Sequence, residues 1–434
     1  MKLKRKMMCF VALALVVLLT MSAATPESTS TVAEEFSSFD VFASEFGEEF
    51  AINYFRTLEL LDSLYDSLPQ DRMGRTLYPN NFGGQYINDT GELVILVVQG
   101  SLASETEHNF MHSLSTDRVI IREVEFAYNC LRSALGLLRT AISNSYDCVA
   151  ALNVDTIAFN VRHNEVRVYL AKYTEYHIDV FKNAILDAPF LVFNQSPGIA
   201  SLDYSSVELM TPAYDNTTMR VQPRPALVRP GDGIYLRNPS GRFVASGSVG
   251  YRASMSVPGL GHMNGFVTAA HLGPIAFGRT LRPNDRIYNS NEVHIGTVRV
   301  VQLEGIDTAF FSVETDIIDS SNTWFGNVLG TIADVRASAG HVVFIDGRHG
   351  RGRAGVVQEE VDTHMTIAGV RFRVEGVLTN HTTLQGNDSG GIAYSWTHPA
   401  NNGVVGTVVG STASGGALIT RASLHAITLG LFPR

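Results

Sequence analysis

The 434-residue chain is 45% hydrophobic and 17% charged, enough apolar material to bury ordinary cores, which excludes a disordered or fibrous polymer. Its formal net charge of -9 at pH 7 hides a partition. From Val228 onward there are 16 arginines, no lysine and 15 acidic residues, a net of +1, whereas residues 25–227 hold 13 basic and 27 acidic residues, a net of -14. Neither part forms a basic track, so nucleic acid is not an expected partner.

The opening MKLKRKMMCFVALALVVLLTMSAATPES places Lys2, Lys4, Arg5 and Lys6 before an apolar stretch from Met7 to about Leu19, then small residues ending at Ala23 and Ala24. That is the three-part layout of an export signal over residues 1–24, and the apolar run is short for a membrane span. The expectation is a secreted, extracellular protein without stable membrane association once the signal is removed. Were the signal to stay uncleaved, a cell-surface adhesion module would be the alternative. Cys9 falls in this signal; Cys130 and Cys148 are open to one disulfide or two thiols. No cysteine follows Cys148, so no disulfide framework staples the C-terminal half.

Residues 32–73 read as helical and GGQYINDTGELVILVVQG, residues 83–100, as a hairpin. REVEFAYNCLRSALGLLRTAI, residues 122–142, sets Val124, Ala127, Leu131, Ala134, Leu138 and Ile142 at helical spacing. TIAFNVRHNEVRVYLA alternates on both sides of Asn164, which predicts a second hairpin; a helix is expected through EYHIDVFKNAIL and a strand at APFLVFN. Residues 25–194 thus form an α+β region, clearest over 110–194. Residues 195–227 are rich in Ser, Pro, Thr and Asn without a period, as an exposed linker with a processing site is.

From Val228 the helical period nearly vanishes. GIYLR, RFVASGSV, GFVTAA, EVHIGTVRVVQL, TAFFSV, GHVVFI, RAGVVQEEV, VRFRVEGVLT, GIAYSW and GVVGTVVG are short β-type runs separated by turn residues, and ASLHAITLGL closes the chain as a helix. An all-β sandwich or a pair of barrels over 228–434 follows.

Within it, LQGNDSGGIAYSW, residues 384–396, wedges Ser389 between Asp388 and two glycines. A serine hydroxyl is a weak nucleophile at neutral pH and needs a histidine base, an orienting carboxylate and donors for an oxyanion. An α/β-hydrolase elbow is excluded, because Gly-x-Ser-x-Gly needs glycine where Asn387 stands. Partners are available: His271 follows a strand in GFVTAAHLG, and Asp307 opens another in EGIDTAFFSV.

Thr-Ala-Ala-His, Asp-x-Ala and Asp-Ser-Gly-Gly in this order resemble the chymotrypsin-like serine proteases, most closely the secreted bacterial branch of alpha-lytic protease and the streptogrisins. The resemblance covers about residues 220–434, GRHGRGRAGVV has the glycine spacing of a stretch between active-site elements in that branch, and the α+β region looks like its pro-region. It implies an all-β catalytic domain, a chymotrypsin-like double β-barrel with a C-terminal helix, behind a pro-region that aids folding and inhibits. It also implies a serine endopeptidase acting on polypeptides, made as a precursor, with no metal or organic cofactor. Carried over by position, Ser389 is the nucleophile, His271 the base and Asp307 its orienter, with the amides of Asn387 and Ser389 as the oxyanion hole. The specificity pocket falls on Thr383, Gly386, Val408 and Gly410, where the absence of an aspartate at Thr383 and the small residues imply an apolar side chain before the cleaved bond.

Three departures stand out. Asn387 replaces a usual glycine, Leu272 replaces a cysteine beside the histidine, and Val409 stands where relatives carry a serine that bonds the aspartate. They make a catalytically weakened, protease-fold binding protein the alternative. The sequon Asn387-Asp388-Ser389 is read as accidental, since a glycan there would block the site.

Overall fold

The alternating apolar runs of the C-terminal half become strands that close on themselves. A computed structural model of the protein describes residues 38–434 apart from 72–75, 101–118, 145–152, 199–226, 239, 258, 260, 334–337, 382–383, 399–400 and 413–415. The export signal, most of the linker, Cys148 and Thr383 therefore lie outside the described residues.

Strands β7 (Gly233–Arg237), β8 (Phe243–Ser248), β9 (Arg252–Val257), β10 (Gly261–Thr268), β11 (Arg286–Tyr288), β12 (His294–Gln302) and β13 (Thr308–Val313) build one sheet in the order β9-β10-β13-β12-β11-β7-β8. It wraps a core of Ile234, Leu236, Ala245, Phe266, Ile287, Val298 and Phe311, drawn from six of its strands, and so curls into a first barrel. Helix α5 (Leu272–Phe277) interrupts it directly after the histidine.

Past β14 (Gly326–Ile332), the second barrel uses β15 (Val342–Gly347), β16 (Gly350–Ile367), β17 (Val370–Thr379), β18 (Ile392–His398), β19 (Asn401–Ser411) and β20 (Ala417–Arg421). Their pairings run β19-β18-β15-β16-β17-β20 and return to β19, a closed six-strand ring. Val343, Ile345, Val357, Val377, Val405, Val408 and Ile419 fill it, and α6 (Ala422–Leu429) follows as expected.

The N-terminal half is α+β. Helices α1 (Ser38–Phe46) and α2 (Glu48–Ser67) precede the hairpin of β1 (Phe82–Ile87) and β2 (Leu93–Val98). The helix expected over 122–142 is shorter than its period suggested: residues Val119–Val124 form strand β3, paired parallel to β2, and α3 spans Tyr128–Asn144. Pairing with an open sheet edge outweighed helical spacing in that first turn. Cys130 is exposed on α3. The second hairpin forms as expected from β4 (Val154–Asn160) and β5 (Glu165–Leu170), with Asn164 in the left-handed region at φ 55°. Helix α4 (Glu175–Ala184) and β6 (Leu191–Gln195) complete the layer, β6 lying parallel to β5.

Three kinds of contact join this half to the second barrel. Strand β4 adds antiparallel to β16, with Phe159 opposite Glu360 and Thr156 opposite Thr363, so β4, β5 and β6 extend the barrel's sheet. Phe42 and Phe55 pack on Trp396 with ring centroids 4.9 and 5.5 Å apart, and the Val342 N–H donates to the Tyr54 hydroxyl at 3.0 Å. Third, α3 lays Arg132 and Arg139 over the carboxylates of Glu360, Asp362 and Glu375 on β16 and β17.

Burial pushes the Glu360 carboxyl up, but Arg421, Arg132 and Arg139 outweigh it and hold the group at about 2, against an ordinary 4.5. A depressed value means that its contribution is complete above pH 4.5 and is lost as pH falls toward 2. The thermal midpoint of the full chain should drop over that interval, and Glu360→Gln should flatten the drop while lowering the midpoint at neutral pH, both measured by calorimetry across a pH series.

Candidate active site

His271 closes the corner between β10 and α5, and Asp307 sits just before β13, so two neighbouring strands of the first barrel carry them. Both are fully buried. The two carboxylate oxygens of Asp307 accept from the same histidine: Oδ1 from the His271 backbone N–H at 2.8 Å and Oδ2 from Nδ1 at 2.6 Å. This double grip fixes the ring's orientation and leaves Nε2 as its second nitrogen. Asp307 holds the left-handed φ of 42°, rare for a residue with a Cβ and a mark of backbone constrained by its surroundings.

Leu272 is fully buried against Gly247, where an added Cβ would come within 2.7 Å of its Cδ1. Apolar packing thus braces the corner at the position where the cysteine departs.

Ser389 comes from the second barrel, on the turn between a single 3-10 turn, Gly386–Asp388, and β18. It too is fully buried; its Oγ donates to the Val409 carbonyl at 3.1 Å. The glycine after it is required: Gly390 has φ 84°, and a Cβ there would meet Thr268 Oγ1 at 2.3 Å and the Ala269 nitrogen at 2.8 Å. That close approach sets the serine turn against the strand end that leads into His271.

Asp388 is the electrostatic anchor of the turn. Fully buried, it accepts from the His349 N–H at 2.9 Å, Arg353 Nη1 at 2.7 Å and the Gln385 N–H at 2.9 Å. Gln385 and Asp388 cap one another reciprocally, and the Asp388 N–H donates to the Gln385 carbonyl at 2.9 Å. Within this turn Asn387 keeps a negative φ, so the left-handed backbone that would explain a glycine there is not adopted; the capping pair holds the 3-10 form instead.

The pocket residues separate. Gly386 belongs to the 3-10 turn, and Thr383 lies outside the described residues. Val408 is fully buried among Val343, Ile345 and Ile419 in the barrel interior rather than on an open wall. A bulge between Val408 and Gly410 re-aims the strand, so Gly410 faces Met365, whose Cε is 2.8 Å from where a Cβ would stand. Val409 joins Met365, Ile367, Phe372 and Val374 in an apolar cluster. The same cluster covers the histidine, since the Phe372 ring lies 6.3 Å from the His271 ring at an interplanar angle of 19°. The tip of the β16–β17 hairpin therefore lies over the site, and β4 of the N-terminal half is paired along that hairpin.

Ser248, Arg353, Met365 and Phe372 are site residues that sequence reasoning missed. Arg353 stood inside the glycine-rich stretch noted for its spacing. Ser248 has no local signal, because its hydroxyl's partners lie 100 and 139 residues away.

Two β-barrels with His271, Asp307 and Ser389 at their seam make the chymotrypsin-like fold, preceded here by an α+β region, and in fold the chain resembles the bacterial serine proteases of the alpha-lytic protease type. Residues 27–124 match the family of the Pro-like N-terminal domain and residues 134–196 that of the Pro-like C-terminal domain. Among solved structures, the chain is similar to Thermobifida fusca Protease A, with 21% identity over 48% of this chain and 98% of that one and a TM-score of 0.36. It is similar to Nocardiopsis Protease, with 19% identity over 48% and 100% and a TM-score of 0.36. For alpha-lytic protease homolog N4 the values are 20% identity over 48% and 99%, with a TM-score of 0.36. No curated protein matches the chain.

Removing the charge that neutralises Asp388 leaves a buried carboxylate uncompensated. Arg353→Met should cost about 3–5 kcal/mol in denaturant unfolding, and adding Asp388→Asn should recover part of it.

Proposed function

We propose that the chain is the precursor of a secreted serine endopeptidase. Ser389 Oγ attacks the carbonyl carbon of the scissile peptide bond while His271 Nε2 takes its proton; that proton passes to the leaving amine, and water then releases the acyl group by the reverse sequence. Asp307 holds the Nδ1–H and stabilises the imidazolium, and the Asn387 and Ser389 amides face the oxyanion. This chemistry calls for no metal or organic cofactor. The observation that carries the reading is the buried His271–Asp307 pair, both oxygens engaged, on the barrel against which the Asp-Ser-Gly-Gly turn is packed.

The N-terminal half acts as folding aid and inhibitor, a role that fits its matches to Pro-like domains and the pairing of β4 with the hairpin over His271. Cleavage in the linker of residues 195–227 separates the parts, and the leader of residues 1–24 directs export.

A second reading, a protease-fold binding protein with little turnover, is favoured by one observation, the negative φ of Asn387 in its capped turn. A serine-directed fluorophosphonate separates the two. The secreted product should be labelled at Ser389 and Ser389→Ala should not be, with peptidase turnover falling by roughly three to six orders of magnitude while the fold is kept. Full activity in purified Ser389→Ala would overturn the mechanism.

The residue preferred before the cleaved bond is Leu, Phe, Tyr or Met, since no aspartate stands at Thr383 to pair with Lys or Arg and Gly386 is small. A peptide-library profile of the secreted product checks this, and dominance of Arg, Lys or Glu at that position would refute it.

A further inference from the structure

The turn bearing Ser389 belongs to the second barrel, yet its backbone is held from the first. Ser248, the last residue of β8, is fully buried and uses all of its polar atoms at the seam. Its N–H donates to the Ser389 carbonyl at 2.8 Å and its Oγ donates to the Asn387 carbonyl at 2.8 Å. The same Oγ accepts from the Arg348 N–H at 2.9 Å, and the Ser248 carbonyl accepts from Thr268 Oγ1 at 2.9 Å.

Peptide units are rigid planes. The Asn387 carbonyl belongs to the unit joining residues 387 and 388, and the Ser389 carbonyl to the unit joining 389 and 390. Between them lies the unit that carries the Ser389 N–H, an amide to which the proposed mechanism assigns the oxyanion. Ser248 therefore anchors the planes on both sides of that amide, and does so from the barrel that carries His271 and Asp307.

We infer that Ser248 is a positioning residue for the nucleophile turn, setting the Ser389 amide and hydroxyl in register with the histidine across the barrel seam. Serine suits the position because one hydroxyl must accept from Arg348 and donate to Asn387 at once, and full burial leaves either group costly to abandon. Alanine would leave the Asn387 carbonyl and the Arg348 N–H without this partner and free one of the two planes.

The inference rests on the proposed peptidase reading, and the experiment keeps the two apart. The full chain and its Ser248→Ala variant are produced and secreted in parallel. Active sites are titrated with a fluorophosphonate, and kcat and KM are measured per titrated site on one apolar peptide substrate. A peptide boronate, which mimics the tetrahedral species, and a non-cleavable peptide are compared as inhibitors. Ser248→Ala should lower kcat per titrated site roughly ten- to hundredfold, with KM within about twofold. Affinity for the boronate should fall by a similar factor and that for the non-cleavable peptide should stay unchanged. A residue that only stabilises the fold would reduce the number of titratable sites and the thermal midpoint without changing kcat per site, and that result overturns the inference. If the unaltered protein is not labelled at all, the peptidase reading falls and this role with it. Should Ser248→Ala fail to accumulate, Ser248→Cys, which keeps the volume and a weak donor, carries the same comparison, with a smaller loss of kcat expected and an unchanged kcat overturning the role.

Discussion

The buried carboxylate of Asp388 is the constraint from which most of the site follows. A charge with no access to water has to be met by donors, and here they come from three directions: the turn after β15 through His349, strand β16 through Arg353, and the serine turn itself through Gln385. Satisfying one group therefore ties the second barrel's strands to the backbone that presents Ser389. The 3-10 turn at Gly386–Asp388 and the approach of Gly390 to Ala269 are the local geometry that results.

The two halves of the chain meet through charges that run against their overall balance. Residues 25–227 are strongly acidic, yet at the contact they supply Arg132, Arg139 and Arg167 to Glu359, Glu360, Asp362 and Glu375 on the hairpin of the other half. Net charge averages over solvated surfaces and says little about a few buried pairs. The hairpin joins this contact to the candidate site, because its strand β16 pairs with β4 and Phe372 of β17 lies over the His271 ring.

Much of the architecture was legible because its signals are local. Alternation on both sides of Asn164 needs only the pleat and one residue that tolerates positive φ, and the hairpin of β4 and β5 formed there. Each of the ten β-type runs after Val228 contributes most of its residues to a strand, since in a closed barrel each presents one face to the core. The helix over 122–142 lost its first turn because β2 offered Val119–Val124 an edge to pair with, a long-range term that periodicity does not contain. At the site, the motif order singled out His271, Asp307 and Ser389, and the fold puts the first two in direct contact. The backbone of Asn387 and the burial of Val408 were not legible, being set by the Gln385–Asp388 caps and by a bulge in β19.

Composition, period and motif spacing were enough to assign an acidic α+β half, a β-rich half without disulfides, and one serine, one histidine and one aspartate, because each depends on residues close together in the chain or on residue type alone. Tertiary structure decided which groups meet. Ser248 reaches a partner 139 residues away, Arg132 pairs with a glutamate 228 residues away, and Leu272 fills a corner against Gly247. Contacts between such separated residues exist only once the chain has folded back on itself, since it is tertiary closure, not local preference, that brings distant groups within reach.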